Sequence, residues 1–404
     1  MHSGFDHKGY EDLLAARTRR GNSDAIRDIL DAAGAKGVLS LAGGIPAAES
    51  FPVRRIAEAT DRVMSRSATA ALQYAPTEGV GAMREVLAWR ASETGASATP
   101  DRVLVTSGSQ QGLDMVAQVL LESDDVVALD DPSYLGALQV FRRAGARLLP
   151  VPSDRDGLRT DILAERLRSG SPCKVVYVVP HYHNPTGAVL AADRRRHLAE
   201  LANRYGFVIV EDDPYADLGF VGERLPSIDV HSDRVIRLMS LSKSLCPGFR
   251  TAGLVAPSTL IGELTAAKQC SDLQTNTWGQ YVLAELLSDE GFLPQHLQQL
   301  RELYSAKSEK FSSLVRDILP GLDFEMPLGG LFLWATIVDP RVNSSDLYRA
   351  ALAEGVAVVP GDPFCAEHDG SRHLRISYSA LDEIQSKEAL TRLETAYEVV
   401  LGIR

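Results

Sequence analysis

Cysteine is scarce in this chain and widely scattered: Cys173, Cys246, Cys270 and Cys365 are the four in 404 residues, and no two form a CxxC pair. That pattern argues against a disulfide framework and a zinc ribbon. It fits free thiols in a reducing compartment, so a cytoplasmic location is expected. No stretch supplies the roughly eighteen uninterrupted apolar residues of a membrane span. The opening MHSGFDHKGYEDLLAARTRR mixes both charge signs without an apolar export segment, so neither export nor a membrane partner is expected. Positive charge is in deficit: 42 Lys and Arg against 53 Asp and Glu leave a net charge of −11, which argues against nucleic acid or anionic lipid as the main partner. No GxGxxG follows a strand and no GxxxxGK[ST] occurs, so neither a dinucleotide nor a P-loop nucleotide is the obvious ligand. Fixed-period repeats and low-complexity tracts are absent as well.

What is present is an ordinary globular composition, 45% hydrophobic and 24% charged, in a chain longer than one hydrophobic core usually serves. Small molecules are the expected partners. Through the middle, short apolar runs alternate with longer amphipathic segments, which predicts an α/β fold. Seven runs read as strands: 102–106, 126–130, 147–151, 174–180, 207–212, 235–240 and 251–256. Most are β-branched and apolar on both faces, as in a mostly parallel seven-stranded sheet with helices on both sides. Ligands of such sheets gather beyond the carboxyl ends of the strands. After residue 281 the pattern turns helical and then returns to short strands in GLFLWATI, VAVVPG and HLRISYS. This predicts a large domain over 51–300 and a smaller α+β domain over 301–404, joined by residues 1–50.

The chemistry-bearing residues do follow the strands. After the first run, SGSQQ turns into a helix near Ser109, whose free backbone N–H groups, with Ser109 and Gln110, suit an anion. Ser109 as an ordinary helix cap is the alternative. A second anion cradle is Ser240, Ser242 and Arg250 in SLSKSLCPGFR, since hydroxyls and a guanidinium suit a phosphate monoester. Asp212 ends the strand FVIVED, and a buried carboxylate there demands a cationic partner. Its neighbours Glu211 and Asp213 are expected to face solvent or helices. Tyr215 follows three residues on. Asn184 sits in HNPTG, which also reads as a simple turn, and Tyr134 in DPSY is either a core wall or a plate for a planar ligand. Lys243 joins them: an amine beside anion donors, a buried acid and an aromatic plate is set up to form a Schiff base.

Together AGGIP (42–46), LQYAPTEG (72–79), TSGSQQ (106–111), DPSY (131–134), HNPTG (183–187), DDPY (212–215), SLSKSLCPGFR (240–250) and HLRISYS (373–379) resemble fold type I pyridoxal-phosphate enzymes. The resemblance spans most of the chain and is specifically to the class I/II aminotransferase family, in its 2-aminoadipate and broad-specificity branch. It implies pyridoxal 5'-phosphate as cofactor and a ping-pong transfer of an amino group from an L-amino acid to a 2-oxo acid such as 2-oxoglutarate or pyruvate. It implies Lys243 as the lysine that bonds the cofactor aldehyde and moves the proton, Asp212 as partner of the ring nitrogen, and Asn184 and Tyr215 on the ring oxygen. Tyr134 would stack on the ring. Ser109, Gln110, Ser240, Ser242 and Arg250 would hold the phosphate, joined by Tyr74 from a second subunit of a homodimer. Arg375 would clamp the substrate carboxylate, with Gly44 and Asn184 also in the substrate site.

Departures from the family pattern include Cys246 after SKSL and TAG at 251–253, neither of which removes a reacting group. His181, Tyr182, His183 and Trp278 are also unusual and are expected to border the substrate space, the histidines as structural residues rather than bases. Arg27, in NSDAIRDIL, is the candidate for the second carboxylate of a dicarboxylic substrate; surface pairing with Asp24 and Asp31 is the alternative. Elimination, cyclisation or decarboxylation would use the same cofactor residues. An effector-sensing domain of the kind fused to winged-helix regulators is less expected, because only some forty residues precede AGGIP.

Overall fold

The computed structural model describes residues 13–19 and 35–403. Near the start of the described chain β1 (Leu39–Ser40) runs parallel to a strand at Val356–Ala357, so a segment from the beginning is stitched to one close to the end. The central sheet contains β2 (Val103–Thr106), β3 (Val126–Asp131), β4 (Arg147–Asp154), β5 (Gly157–Leu158), β6 (Val175–Val178), β7 (Val208–Asp212), β8 (Val235–Ser240) and β9 (Ala252–Val255), in the order β2-β9-β8-β7-β6-β3-β4-β5. All seven sequence-predicted strands form, within a few residues of their expected ends. The eighth, β5, is a two-residue antiparallel partner of β4; a strand that short carries no readable period.

From β4 through β8 the neighbours are parallel, and in β3, β6, β7 and β8 the side chains are buried on both faces, as between covering helices. Two reversals then matter for function. β9 runs antiparallel to both β8 and β2. Its start, not its end, therefore lies at the edge where the parallel strands finish. The register places Ala252 opposite both Thr106 and Ser240, so the turn after β2, the loop after β8 and Arg250 just before β9 meet at one point.

A smaller antiparallel sheet holds β10 (Leu322–Asp323), β11 (Phe332–Ile337), β13 (Val359–Pro360) and β14 (His373–Ser377), with β12 (Val356–Ala357) the partner of β1. Its own core includes Leu333, Ile337, Leu374, Ile376 and Leu393. The helix Phe292–Ile318 serves both regions: Leu293, Leu297 and Leu300 pack into the sheet core, Phe311 and Val315 into the smaller one. The chain thus passes from one core to the other inside a continuous helix, past residue 300. No helix among the described residues is long and apolar enough to cross a membrane.

Candidate active site

A cavity of about 390 Å³ opens at the carboxyl edge of the parallel strands, roofed by residues of the N-terminal segment and the smaller sheet. Its wall brings together Gly44, Ser109, Gln110, Tyr134, Asn184, Asp212, Tyr215, Ser240, Ser242, Lys243, Arg250 and Arg375. Tyr74 stands away from it, 77% exposed. Arg27 lies outside the described residues.

One end of the cavity is built for an anion. Gly108, not Ser109, caps the helix Ser109–Leu120, with φ of 94°. A Cβ at Gly108 would come within 2.4 Å of Arg250 Nη2, so the position needs glycine both for its backbone and for that approach. Arg250 itself adopts φ of 50° and donates from Nη2 to the Ser107 carbonyl at 3.3 Å. Because Gly108 takes the capping place, the Ser109 hydroxyl is left buried without a partner. The Ser242 amide donates to Ser240 Oγ at 3.1 Å, which folds the loop so that both serines line the same wall.

Elsewhere in the same wall Asp212 is buried; its Oδ2 accepts from the Tyr177 hydroxyl at 2.9 Å and its Oδ1 has no partner. Burial pushes its carboxyl up to about 7. Glu211 and Asp213, expected to face solvent or helices, are buried too: Glu211 accepts from Ser227 Oγ at 2.6 Å and the Ile228 amide at 3.0 Å. Asp213 pairs with His181 Nδ1 at 3.0 Å and Arg224 Nη2 at 3.3 Å. Burial pulls the Asp213 carboxyl up, but the hydrogen bond with His181 and the Arg224 and Arg195 guanidinium groups outweigh it and hold the carboxyl below its ordinary range. Neither faces solvent, because a strand covered on both faces has no solvent side, whereas Glu211 does meet a helix, the short turn Ile228–Val230 capped by Ser227. Of the three adjacent acids, only Asp212 lines the cavity.

Lys243 Nζ donates to the Gly44 carbonyl at 2.7 Å. Burial, with Arg375 and Arg250 nearby, pushes its ammonium down to about 8. Arg375, on β14, donates from Nη1 to Asn184 Oδ1 at 2.8 Å and from Nη2 to the Ala42 carbonyl at 2.6 Å. Its Cζ lies 4.2 Å from the centre of the Phe332 ring and 4.9 Å from that of Phe364, and burial lowers its pKa to about 10. The Tyr134 hydroxyl donates to Gln110 Oε1 at 3.2 Å, and burial pushes its phenol up to about 12. Tyr215, raised likewise by burial, meets Phe332 edge to face at 6.2 Å.

Three residues were missed. Tyr177 is the one residue with a polar tip between the valines of KVVYVVP, a signal that was available. Phe332 and Phe364, which flank the Arg375 guanidinium, gave no signal beyond ordinary core aromatics. Conversely, His181, Tyr182, His183 and Trp278 do not line the cavity. Tyr182, at φ of 48°, packs its ring over Gly219 and Gly329, which have no Cβ to obstruct it. His183 hydrogen-bonds Thr186 at 2.9 Å, and Trp278 packs on Phe249.

The orphaned buried atoms in the wall identify what fits. Ser109 Oγ, at a helix N-terminus beside Arg250, asks for an anion, and Asp212 Oδ1 asks for a cationic N–H. A ligand with a phosphate at one end and a protonated ring nitrogen at the other satisfies both, which is the donor set pyridoxal phosphate requires. Residues 36–393 match the family described as aminotransferase class I and II. The chain is 38% identical over 389 residues to the 2-aminoadipate transaminase of Thermus thermophilus, covering 94% of this chain and 95% of that one. It is 35% identical over 392 residues to aromatic-amino-acid aminotransferase 1 of Thermococcus litoralis, covering 95% and 94%. Among solved structures, LysN, the alpha-aminoadipate aminotransferase of Thermus thermophilus complexed with N-(5'-phosphopyridoxyl)-L-leucine, superposes with a TM-score of 0.90 at 36% identity, covering 98% of this chain and 100% of that one. With a lysine amine, an orphaned acid and an anion cradle in one cavity, and with these relatives along nearly its whole length, the chain belongs to the class I and II aminotransferases and is a pyridoxal-phosphate-dependent enzyme that transfers amino groups.

Proposed function

We propose that the enzyme moves the amino group of L-amino acids with apolar, aromatic or carboxylate-bearing side chains to 2-oxoglutarate or pyruvate, both half-reactions using the same site. The observation that carries this is the Arg375 guanidinium, buried in the cavity wall with its Nε unpartnered and an apolar surround that includes Ile45, Leu135 and Phe332. A bidentate guanidinium suits an α-carboxylate, and the apolar surround suits the rest of the substrate. The likeness to aromatic-amino-acid and 2-aminoadipate aminotransferases supports the donor range.

In this reading pyridoxal phosphate, when bound, supplies the aldehyde that carries the amino group and the ring that withdraws electrons from the reacting carbon. Ser109, Gln110, Ser240, Ser242 and Arg250 hold its phosphate, Asp212 its ring nitrogen, Asn184 and Tyr215 its ring oxygen, and Tyr134 its face. Lys243 Nζ would anchor the cofactor and then take the proton from the substrate Cα and deliver it to the carbon that had been the aldehyde. Its lowered pKa of about 8 leaves a usable fraction as free amine near neutral pH. Gly44 lets the Phe332 ring close in on the N-terminal segment, since a Cβ there would meet that ring at 2.5 Å.

A homodimer with shared sites is part of the proposal, supported by Tyr74, a large aromatic left exposed beside the exposed Leu72. A two-domain division along the two cores and a cytoplasmic location also belong to it, the latter supported by four cysteines that are all free. The test is a steady-state panel of L-amino acids with 2-oxoglutarate and pyruvate, following the keto acid products. Acceptor-dependent keto acid formation is the expected result; acceptor-independent release of ammonia or carbon dioxide would overturn the proposal.

A further inference from the structure

The carboxylate of Asp131, at the end of β3, is fully buried and belongs to no part of the cavity wall. It is nevertheless surrounded by donors from the other side of the molecule. Oδ1 accepts from the Ala366 amide at 2.9 Å, and Oδ2 accepts from the Glu367 amide at 3.2 Å, the His368 amide at 3.0 Å and His368 Nδ1 at 2.8 Å. Two residues on, the Ser133 amide donates to the Phe364 carbonyl at 2.8 Å. A single strand end of the large sheet thus grips a loop that leaves β13 of the small one.

That loop bears on the substrate side of the site. β13 pairs with β14 so that Val359 lies opposite Arg375. Phe364, fully buried, lies between Trp334, 5.6 Å away and edge to face, and the Arg375 guanidinium. On the sheet side, Tyr134 is three residues beyond Asp131, and Leu135 packs in one cluster with Val359 and Phe364. We propose that Asp131 is a positioning residue: by gripping residues 366–368 it sets the aromatic wall around Arg375, and hence the substrate carboxylate clamp, at a fixed distance from the Tyr134 face. A carboxylate is the group this job requires, since all four donors point at it and charge-assisted bonds to backbone N–H groups are the strong ones. Asparagine would turn an NH2 toward donors and leave buried amides unpaired.

The inference rests on Arg375 holding the substrate carboxylate, and the experiment separates the two. Asp131→Asn, His368→Ala and Arg375→Lys are compared with the parent holoenzyme for the KM of the amino donor, kcat, cofactor affinity and amide hydrogen exchange over residues 361–370. For Asp131→Asn the KM is expected to rise about tenfold with cofactor affinity kept within about twofold, and exchange at residues 366–368 to quicken about tenfold. His368→Ala, which removes one side-chain donor from a half-exposed residue, is expected to raise KM roughly two- to threefold. A KM for Asp131→Asn within about twofold of the parent, or a loss shared equally by cofactor affinity, overturns the inference. Should Asp131→Asn not fold, His368→Ala decides, an unchanged KM overturning it. If Arg375→Lys leaves KM unchanged, the carboxylate reading falls and this inference with it. A raised KM in Arg375→Lys beside an unchanged one in Asp131→Asn overturns the inference alone.

Discussion

The proposed cofactor and substrate walls of the cavity come from regions built by different rules. Ser109, Tyr134, Asn184, Asp212, Ser240 and Lys243 each stand just beyond or at the end of a strand in the large sheet, where five parallel neighbours fix where every strand finishes. Ile45, Phe332 and Arg375 come from an N-terminal segment and a four-stranded antiparallel sheet with a separate core, held against the first by groups such as Asp131. The proposed cofactor contacts lie on the first wall, whose geometry does not depend on how the two regions meet. The proposed α-carboxylate clamp and the apolar surround lie on the second, where a small change in their contact moves a guanidinium or a ring.

The comparison breaks first if the sheet side is not where the reaction is carried out. Lys243→Ala is expected to lose transamination by about a thousandfold or more, the scale on which a positioned acid/base and nucleophile act together. The cofactor should still bind through its phosphate cradle, measured as cofactor stoichiometry after desalting. An active variant, beyond rescue by added amines, would remove the lysine from the mechanism.

Next in size is the contrast between two neighbours on one strand. Asp212→Asn keeps the shape but removes the anion whose Oδ1 faces the cavity, and kcat is expected to fall roughly a hundredfold. Asp213→Asn should act instead on stability, by about 3 kcal/mol, because it leaves His181 and Arg224 without their buried partner. Chemical denaturation and steady-state rates on both variants separate the two roles. Asp212 also predicts a pH dependence. Burial holds it at about 7 when the ordinary value is 3.8, so between those values the folded, cofactor-free protein binds more protons than the unfolded chain. Stability from this group is full below the lower value and is lost as pH rises through the upper one, by up to roughly 4 kcal/mol. Removing the cofactor should therefore make the unfolding temperature fall between about pH 4 and pH 7, and Asp212→Asn should flatten that fall.

The shared-site reading sharpens the comparison by adding a third contributor. Tyr74→Ala is expected to weaken cofactor binding about tenfold, the worth of one strong hydrogen bond to a charged group, with a dimer retained in sedimentation. A fully active monomer at working concentration would return Tyr74 to a solitary surface role.

The two walls were also unequally legible from sequence. A parallel strand announces itself by an apolar run, and its last residue locates the group that follows; Asp212, Ser109 and Lys243 were found that way. The anion cradle needed more, since nothing local shows that β9 runs in reverse and brings Arg250 beside the end of β2. Arg250 was found only as a guanidinium following two serines in SLSKSLCPGFR; that it meets the turn after β2 came from the register. The solvent alternative for Glu211 and Asp213 fell away because face alternation assumes one wet side, which this strand lacks. Phe332, Phe364 and the Asp131 grip stayed hidden because each acts through a partner distant in sequence, as in the Asp131 carboxylate that meets the amides of residues 366–368.

The smallest expected effect concerns the far end of a dicarboxylic substrate. Among the described residues the cavity wall offers Lys243, Arg250 and Arg375 as cations, and the proposed roles commit all three to the cofactor and the α-carboxylate. A second carboxylate therefore needs a cation from elsewhere, and one that can leave when an apolar side chain takes its place. Arg27, outside the described residues, is the candidate: the spacing in NSDAIRDIL predicts a short helix with Ser23 as cap and Ile26, Ile29 and Leu30 as its apolar stripe, which leaves Arg27 on the flank. Surface pairing with Asp24 or Asp31 would be worth under about 1 kcal/mol and would leave it free to move. Arg27→Ala is expected to lower kcat/KM for 2-oxoglutarate about five- to tenfold while leaving pyruvate within about twofold, so the ratio of the two is the readout. Equal losses on both acceptors, or none on either, would make Arg27 a surface residue and require the dicarboxylate's second charge to be met by hydrogen bonds alone.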